Sequence, residues 1–276
     1  MKLILKKIIF YLLKQSLDKA RGEQNYNVLF EKLRDIVPNL KDQYSSFVID
    51  GDYLNTKVYS QHSFQIDLVL LALNSLEGRG RNTLIDIGDS SGNHIRYLSA
   101  LKENIQAISV NSDPIAIQKI KEKGLEALQA KAEDLRDIKE FKDDIDVLTS
   151  FEMLEHLQDP IGFLKSMSRN VDCDKFVITV PYVSKSRVNL WKIDNPDNEV
   201  AFNPEVTHIF ELNPEDWKKL FKFSGWKVEK DLIYYQYPQK HPLWLTKYIW
   251  KKLDFEGFFG VILSKDDTYL KMYNEH

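Results

Sequence analysis

The sequence predicts an α/β protein: a mostly parallel sheet with helices packed on both faces, preceded by a helical extension. Three features lead there. From Gly80 onward, short apolar runs alternate with helical stretches, the pattern of βαβ units. The first of those runs ends in a turn, Gly88-Asp-Ser-Ser-Gly92, that opens directly into a helix. Before residue 82 the periodicity is helical and no strand-like run occurs.

The elements follow in order. Residues 1–80 read as a helical extension or cap, and residues 81–276 as one α/β domain with insertions at 181–210 and 235–256. In the extension, residues 1–17 form one helix, and Asn27–Val37 a second that Pro38 ends. A long third helix spans Leu54–Leu76, before Gly78 and Gly80. Strands then fall at Thr83–Ile87, Ile105–Val110, Leu125–Ala130, Ile145–Ser150 and Lys175–Val180. Helices between them cover His94–Leu101, Ile115–Lys123, Leu135–Phe141 and Ile161–Arg169. The chain closes with a helix at Pro214–Phe223 and strands at Trp226–Tyr234 and Gly257–Ser264.

Composition narrows the function classes. Apolar residues make up 43% of the 276 and charged residues 29%, which excludes a disordered chain. Lysine and arginine total 38 against 41 acids, so no global positive field points to nucleic acid. Cys173 is the single cysteine; it excludes an internal disulfide and cysteine-based zinc sites, and it suits a reducing, cytoplasmic setting. No apolar run reaches the ~18 residues that span a bilayer. Ile8–Leu13 is short and no small-residue cleavage site follows, so a signal peptide is not expected.

The net charge of −3 is an average over unlike parts. Residues 1–14 and 240–252 each carry four lysines and no acid, and the remainder holds 30 bases against 41 acids. At about 100° per residue, Lys2, Lys6, Lys7 and Lys14 fall in an arc of roughly 140° on an otherwise apolar helix. Such a helix packs on its own protein or docks on an anionic membrane surface. In residues 241–252, Trp244, Tyr248 and Trp250 stand among Lys247, Lys251 and Lys252, which suits a membrane-interface belt or a lid over a pocket. Membrane-surface contact through 1–17 and 241–252, at the inner face, is one expectation.

Four motifs in order carry a family resemblance. They are LIDIGDSSGNHIRYL at residues 84–98, FEMLEHLQDP at 151–160, FVITVP at 176–181 and HIFELNPEDWKKLFKFSGW at 208–226. Together they resemble class I S-adenosylmethionine-dependent methyltransferases over about two thirds of the chain. The resemblance implies a Rossmann-like, seven-stranded sheet of order 3-2-1-4-5-7-6 with the seventh strand antiparallel. It implies that Asp86, Gly88, Ser90 and Gly92 cradle the methionine end and ribose of the cofactor. Asn111 then aligns with the ribose-gripping acid after strand two, and Glu133, Asp134 and Phe151 complete the cofactor set.

Three positions depart from the family pattern: Ser90 replaces the middle glycine, Asn111 the ribose acid, and Lys131 an aspartate near the adenine. Each lost charged hydrogen bond is worth about 1.5–3 kcal/mol. Cofactor binding is then weaker by one to several decades, or the chain is an inactive methyltransferase-like scaffold.

Glu152, Glu155 and His156 stand at i, i+3 and i+4, which on a helix gives one face, and His208 follows downstream. Two carboxylates and two imidazoles suit a divalent metal. The same residue types also suit His156, with Glu155, acting as general base, or purely structural hydrogen bonding. The E-x-x-E-H arrangement resembles the metal site of small-RNA 2′-O-methyltransferases and quinone-pathway O-methyltransferases. His94 reads as a helix start and His62 as surface or core. The expected activity is transfer of a methyl group to a hydroxyl of a small molecule or glycan, with no nucleic-acid partner and RNA only as a weaker third idea.

Overall fold

The computed structural model describes residues 2–44, 47–76, 78, 81–131, 134, 145–189, 207–253 and 255–274. Three helices come first: α1 (Lys2–Glu23), α2 (Asn27–Ile36) and α3 (Asp52–Asn74). The sheet begins with β1 (Asn82–Ile87), followed by α4 (Asn93–Leu101), β2 (Ile105–Asn111), α5 (Pro114–Glu122) and β3 (Glu126–Gln129). Then come β4 (Ile145–Phe151), a 3-10 turn at Leu154–His156, α6 (Pro160–Asn170) and β5 (Cys173–Tyr182). The helix expected at 135–141 lies outside the described residues, as do Trp191 and Phe202 in the expected insertion at 181–210.

A two-stranded ribbon joins β6 (Arg187–Val188) to β7 (Phe210–Glu211). After it stand α7 (Pro214–Phe223), β8 (Trp226–Tyr235), a 3-10 turn at Pro242–Thr246, α8 (Lys247–Leu253), β9 (Gly257–Lys265) and α9 (Thr268–Asn274). The ribbon, α8 and α9 are additions to the expected elements. The seven-stranded sheet has the order β3-β2-β1-β4-β5-β9-β8. β9 runs antiparallel to both neighbours and the other pairs are parallel. Counting only these strands, that is the order 3-2-1-4-5-7-6 with the seventh reversed.

Local chemistry explains several helix starts. α5, α6 and α7 each begin with an Asp or Asn followed by proline: Asp113-Pro114, Asp159-Pro160 and Asn213-Pro214. In each the acidic or amide oxygen accepts a backbone N–H of the first turn, while the proline occupies a position whose N–H has no helical partner.

Alternating strand residues feed two cores. Leu84, Val147, Val177 and Ile262 face α2, α3, α4 and α5. Ile85, Leu148, Phe176, Ile178 and Val261 face α6 and α7 through Phe163, Leu164, Trp217 and Phe221. A third cluster, Leu13, Leu17, Tyr237 and Trp250, ties α1 to the segment around α8. Among the described residues no helix is long and apolar enough to cross a membrane.

The helix α3 is the element that positions the site. It crosses the face of β4, β5 and β9 and is buried around most of its circumference. Its approach depends on Gly260 of β9: a Cβ there would stand 2.3 Å from Leu68 Cδ1 and 2.8 Å from Phe64 Cζ, both on α3 and both fully buried. Gly260→Ala is therefore an overpacking change, expected to lower stability by about 1–3 kcal/mol. Urea denaturation checks this, and an unchanged midpoint would show that α3 yields without cost.

Candidate active site

A cleft of about 830 Å³ runs along the carboxyl ends of the parallel strands, where open α/β sheets place ligands. At one end lies the turn after β1. Gly88 (φ +91°) and Gly92 (φ +77°) both adopt left-handed backbone that favours glycine. Asp89, between them, is buried and holds the turn: its Oδ1 accepts from Ser91 N at 3.0 Å and Gly92 N at 2.8 Å, and its Oδ2 from Ser109 Oγ at 2.8 Å. Burial and the neighbouring Asp86 push the Asp89 carboxyl up, against those hydrogen bonds. Gly92 stands behind the turn rather than in the cleft, where a Cβ would meet Leu125 Cδ1 at 2.8 Å.

Asp86, at the end of β1, is 1% exposed and borders the cleft. Its Oδ1 accepts from Thr149 Oγ1 at 2.6 Å, while Oδ2 accepts no hydrogen bond and stands 3.5 Å from His94 Nδ1. His94 Nε2 meets Gln65 Oε1 of α3 at 3.0 Å, and Gln65 Nε2 donates to Thr179 Oγ1 of β5 at 3.0 Å. Burial opposes a charge on His94, but the Asp86 and Asp89 carboxylates outweigh it and its pKa is raised. The adjacent His62 is driven well down, by burial and then by the His94 charge. The sequence marks His94 only as a helix start, and no local signal marks Gln65, which lies in a segment of helical periodicity.

The departures from the family pattern acquire partners. The Ser90 hydroxyl donates to the Gln43 carbonyl, and Gln43 Oε1 accepts from Ser91 Oγ at 3.2 Å and Asn93 Nδ2 at 2.7 Å. Lys123 Nζ reaches Asp42 at 2.7 Å and Ser91 O at 2.6 Å. The segment between α2 and α3 is thereby strapped over the turn, and it brings Tyr44 and Phe47 to the cleft. Asn111 also borders the cleft, but its Nδ2 donates to Asp89 O at 2.9 Å and its Oδ1 accepts from Asp113 N at 2.9 Å. It organises the turn with both ends of its amide. Lys131 and Phe151 line the cleft, with Phe151 against the His94 ring at a centroid distance of 4.8 Å. Asp134 is exposed and away from the lining, and Glu133 lies outside the described residues.

At the other end stand Glu155, His156 and His208, with one ligand-type atom from each lying within 4.8 Å of the others. The expected helical face of Glu152, Glu155 and His156 does not form. Only Leu154–His156 makes a single 3-10 turn, and Glu152 takes φ +49° before it. Glu152 borders the cleft without joining the three. The distant His208 arrives because the ribbon docks on that turn, with Ile209 N donating to Glu155 O at 2.7 Å. His156 Nδ1 pairs with Thr207 O at 3.0 Å and its Nε2 lies 3.7 Å from Glu155 Oε1. His208 Nδ1 meets Glu211 Oε1 at 3.0 Å. Arg187, His208 and Asn189 hold Glu211 well below the usual carboxylate range despite burial. Glu155 is fully buried, neither of its oxygens accepts a hydrogen bond, and burial with the nearby Glu152 raises it well above the usual range. Lys57 and Phe255 complete this end of the cleft, whereas Tyr182 and Phe210 of the expected insertion do not line it.

With the geometry in place, comparisons add a family. A family model described as a methyltransferase domain matches residues 60–231, more than half of the chain. No curated protein matches the sequence. Among solved structures, magnesium protoporphyrin IX methyltransferase from Synechocystis PCC 6803, with SAH bound, is similar at 9% identity and a TM-score of 0.52, over 90% of this chain and 98% of that one. A Galdieria sulphuraria structure, described as a candidate sarcosine dimethylglycine methyltransferase, is similar at 12% identity and a TM-score of 0.55, over 77% and 88%. The [4+2]-cyclase SpnF is similar at 11% identity and a TM-score of 0.51, over 90% and 96%. At such identities the likeness is one of fold.

Two outcomes are expected. Gln43→Ala leaves the buried Asn93 amide and Ser91 hydroxyl without their acceptor, costing about 1–3 kcal/mol. It should also speed proteolytic cleavage between α2 and α3, and an unchanged digestion pattern would show that the strap holds without it. The raised pKa of His94 gives a stabilising contact fully present below its ordinary value of 6.5 and lost as pH rises through the higher folded-state value. Denaturation across pH 6–9 should show that loss in the native chain and a flatter profile in His94→Gln; parallel profiles would refute it.

Proposed function

The chain belongs to the methyltransferase domain family, and we propose that it moves a methyl group from S-adenosylmethionine to a hydroxyl of a small-molecule or glycan acceptor. The observation that carries this reading is that one cleft joins the Asp86–Gly88 turn to the Glu155–His156–His208 group, so donor and acceptor sites lie end to end. The fit at the donor end rests on the Asp86 carboxylate, which borders the cleft with His94 beside its Oδ2 and is suited to an ammonium group. Gly88 adds backbone that lets a ligand approach. When bound, S-adenosylmethionine supplies an electrophilic methyl on sulfonium.

The chain's own part is positioning and proton transfer. With Nδ1 held by the Thr207 carbonyl, His156 presents Nε2 to take the acceptor's hydroxyl proton. The charge then arriving on the ring favours ionisation of Glu155, whose Oε1 is 3.7 Å away. His156→Ala should lower kcat by about 10²–10⁴-fold with S-adenosylmethionine affinity unchanged. An equal loss of affinity would move His156 out of this role.

A second use of the same residues has its own support. Glu155 has two buried oxygens without donors, and His156 and His208 are each pinned at Nδ1 by an outer acceptor, as metal-ligating histidines are. Glu155, His156 and His208 would hold a divalent cation, which would lower the pKa of the acceptor hydroxyl. Chelation separates the two uses: activity insensitive to EDTA favours the base, and activity restored by added divalent metal favours the cation.

An inactive methyltransferase-like scaffold is the rival reading, and Asn111 supports it, since both ends of its amide are spent on the backbone. Titration calorimetry decides between them. Binding of S-adenosylmethionine in the micromolar to sub-millimolar range is expected for the enzyme, and no heat at millimolar cofactor would sink it.

A further inference from the structure

The two lysine-rich segments at opposite ends of the chain meet in the fold. Ser16 Oγ of α1 lies 2.7 Å from Thr246 Oγ1 in the 3-10 turn and 3.4 Å from Trp250 Nε1 of α8. Leu13 and Leu17 pack with Trp250 and Tyr237, so both segments are anchored by the same small core. The choice between packing and docking resolves along the helix: Leu13, Ser16, Leu17 and Ala20 are buried, whereas residues 6–8 and 10–12 are exposed. One helical turn, about 5.4 Å, separates Ser16 from Leu12.

Beyond that anchor both segments carry exposed apolar side chains. Tyr11 is 64% exposed, Ile8 49%, Leu245 55% and Tyr248 61%. Exposed apolar side chains gathered beside one anchor mark an interaction surface. The charge beside them is of one sign. Lys6 and Lys7 are exposed on α1, and Lys251 and Lys252 are exposed on α8. Lys247 lies over the rings of Trp244 and Tyr248, at 4.3 and 5.0 Å, and Lys6 over Phe10 at 5.5 Å. Among the described residues acids stand at the margins: Asp18 and Asp52 pair with Lys14, Glu23 accepts from Gln239 N and Lys240 N, and Glu256 stands 3.8 Å from Lys251.

We propose that residues 6–12 of α1 and residues 244–252 form one face that seats the protein on an anionic phospholipid surface. The apolar and aromatic side chains enter the interface and the lysines meet the headgroups. A protein partner would need acids to answer these lysines at fixed positions, whereas anionic headgroups move to meet them. The face adjoins the cleft. Phe10 stacks on Tyr53 at 5.0 Å, and Leu54 and Lys57, next along α3, line the cleft. Phe255, just beyond α8, also lines it and lies under Lys57 Nζ at 4.8 Å.

The test is co-sedimentation of the full chain with vesicles of equal parts phosphatidylglycerol and phosphatidylcholine, and with phosphatidylcholine alone. Binding to the mixed vesicles is expected, weakened by about 0.5 M salt, with little binding to phosphatidylcholine. The triple variant K6E/K7E/K252E should lower partitioning at least about tenfold, and Y11S/L245S should lower it at constant charge. Equal binding to both vesicles, or variants that bind like the native chain, would overturn the proposal. Self-association of the native chain in sedimentation velocity, lost in Y11S/L245S, would assign the face to a second copy instead. The result is separable from the methyl-transfer reading, because vesicle binding needs no cofactor. A chain that sediments with vesicles yet binds no S-adenosylmethionine would refute that reading and leave the docking face standing.

Discussion

The carboxylate of Asp89 is the point on which the cleft depends. A buried carboxylate is costly unless hydrogen bonds replace its water, and Asp89 is met by two turn amides and the Ser109 hydroxyl. Its own carbonyl is held by Asn111. One residue thus joins the ends of β1 and β2 to the start of α4. The conformation it holds puts glycine backbone at the cleft and the Asp86 carboxylate beside it.

Around that turn the polar groups form a column rather than scattered contacts. Thr179 on β5, Gln65 on α3, His94 on α4 and Asp86 on β1 connect in sequence. A buried network of this kind is stable only when its members keep their partners, so the position of α3 on the sheet and the protonation of His94 are linked. Gly260 permits the approach of α3 that lets Gln65 take part. Packing and electrostatics at the Asp86 end of the cleft therefore have the same origin.

The substitutions that looked like losses change meaning in three dimensions. Ser90, in place of a glycine, ties down the Gln43 carbonyl, and Asn111, in place of an acid, braces the turn. Both side chains order the protein around the turn. The Glu155 end of the cleft shows the reverse pattern. There Glu155 has no hydrogen-bond donor on its carboxyl, while His208 is oriented by Glu211, whose charge is secured by Arg187 and Asn189. Unmet polarity at a cleft is the usual mark of a site built for something that is not protein.

Much of the fold was legible in the sequence because its signals are local. Strand and helix periodicity and the glycines of the first turn each act within a few residues. Asp86, Gly88 and Phe151, which line the cleft, were placed there by the resemblance of their motifs to a family. What the sequence alone could not show depends on chain segments that meet only after folding. Glu152 left its expected helical face because Leu154–His156 closed as a single 3-10 turn. Gln43 and Gln65 reached the turn from the extension, and His208 reached Glu155 only through the β6–β7 ribbon. The two basic segments, more than two hundred residues apart, became neighbours through Ser16 and Thr246. The sequence determined the strands of the sheet and the helices between them, since propensity is short-range. The tertiary structure decided which side chains share a site, because that depends on packing between distant segments.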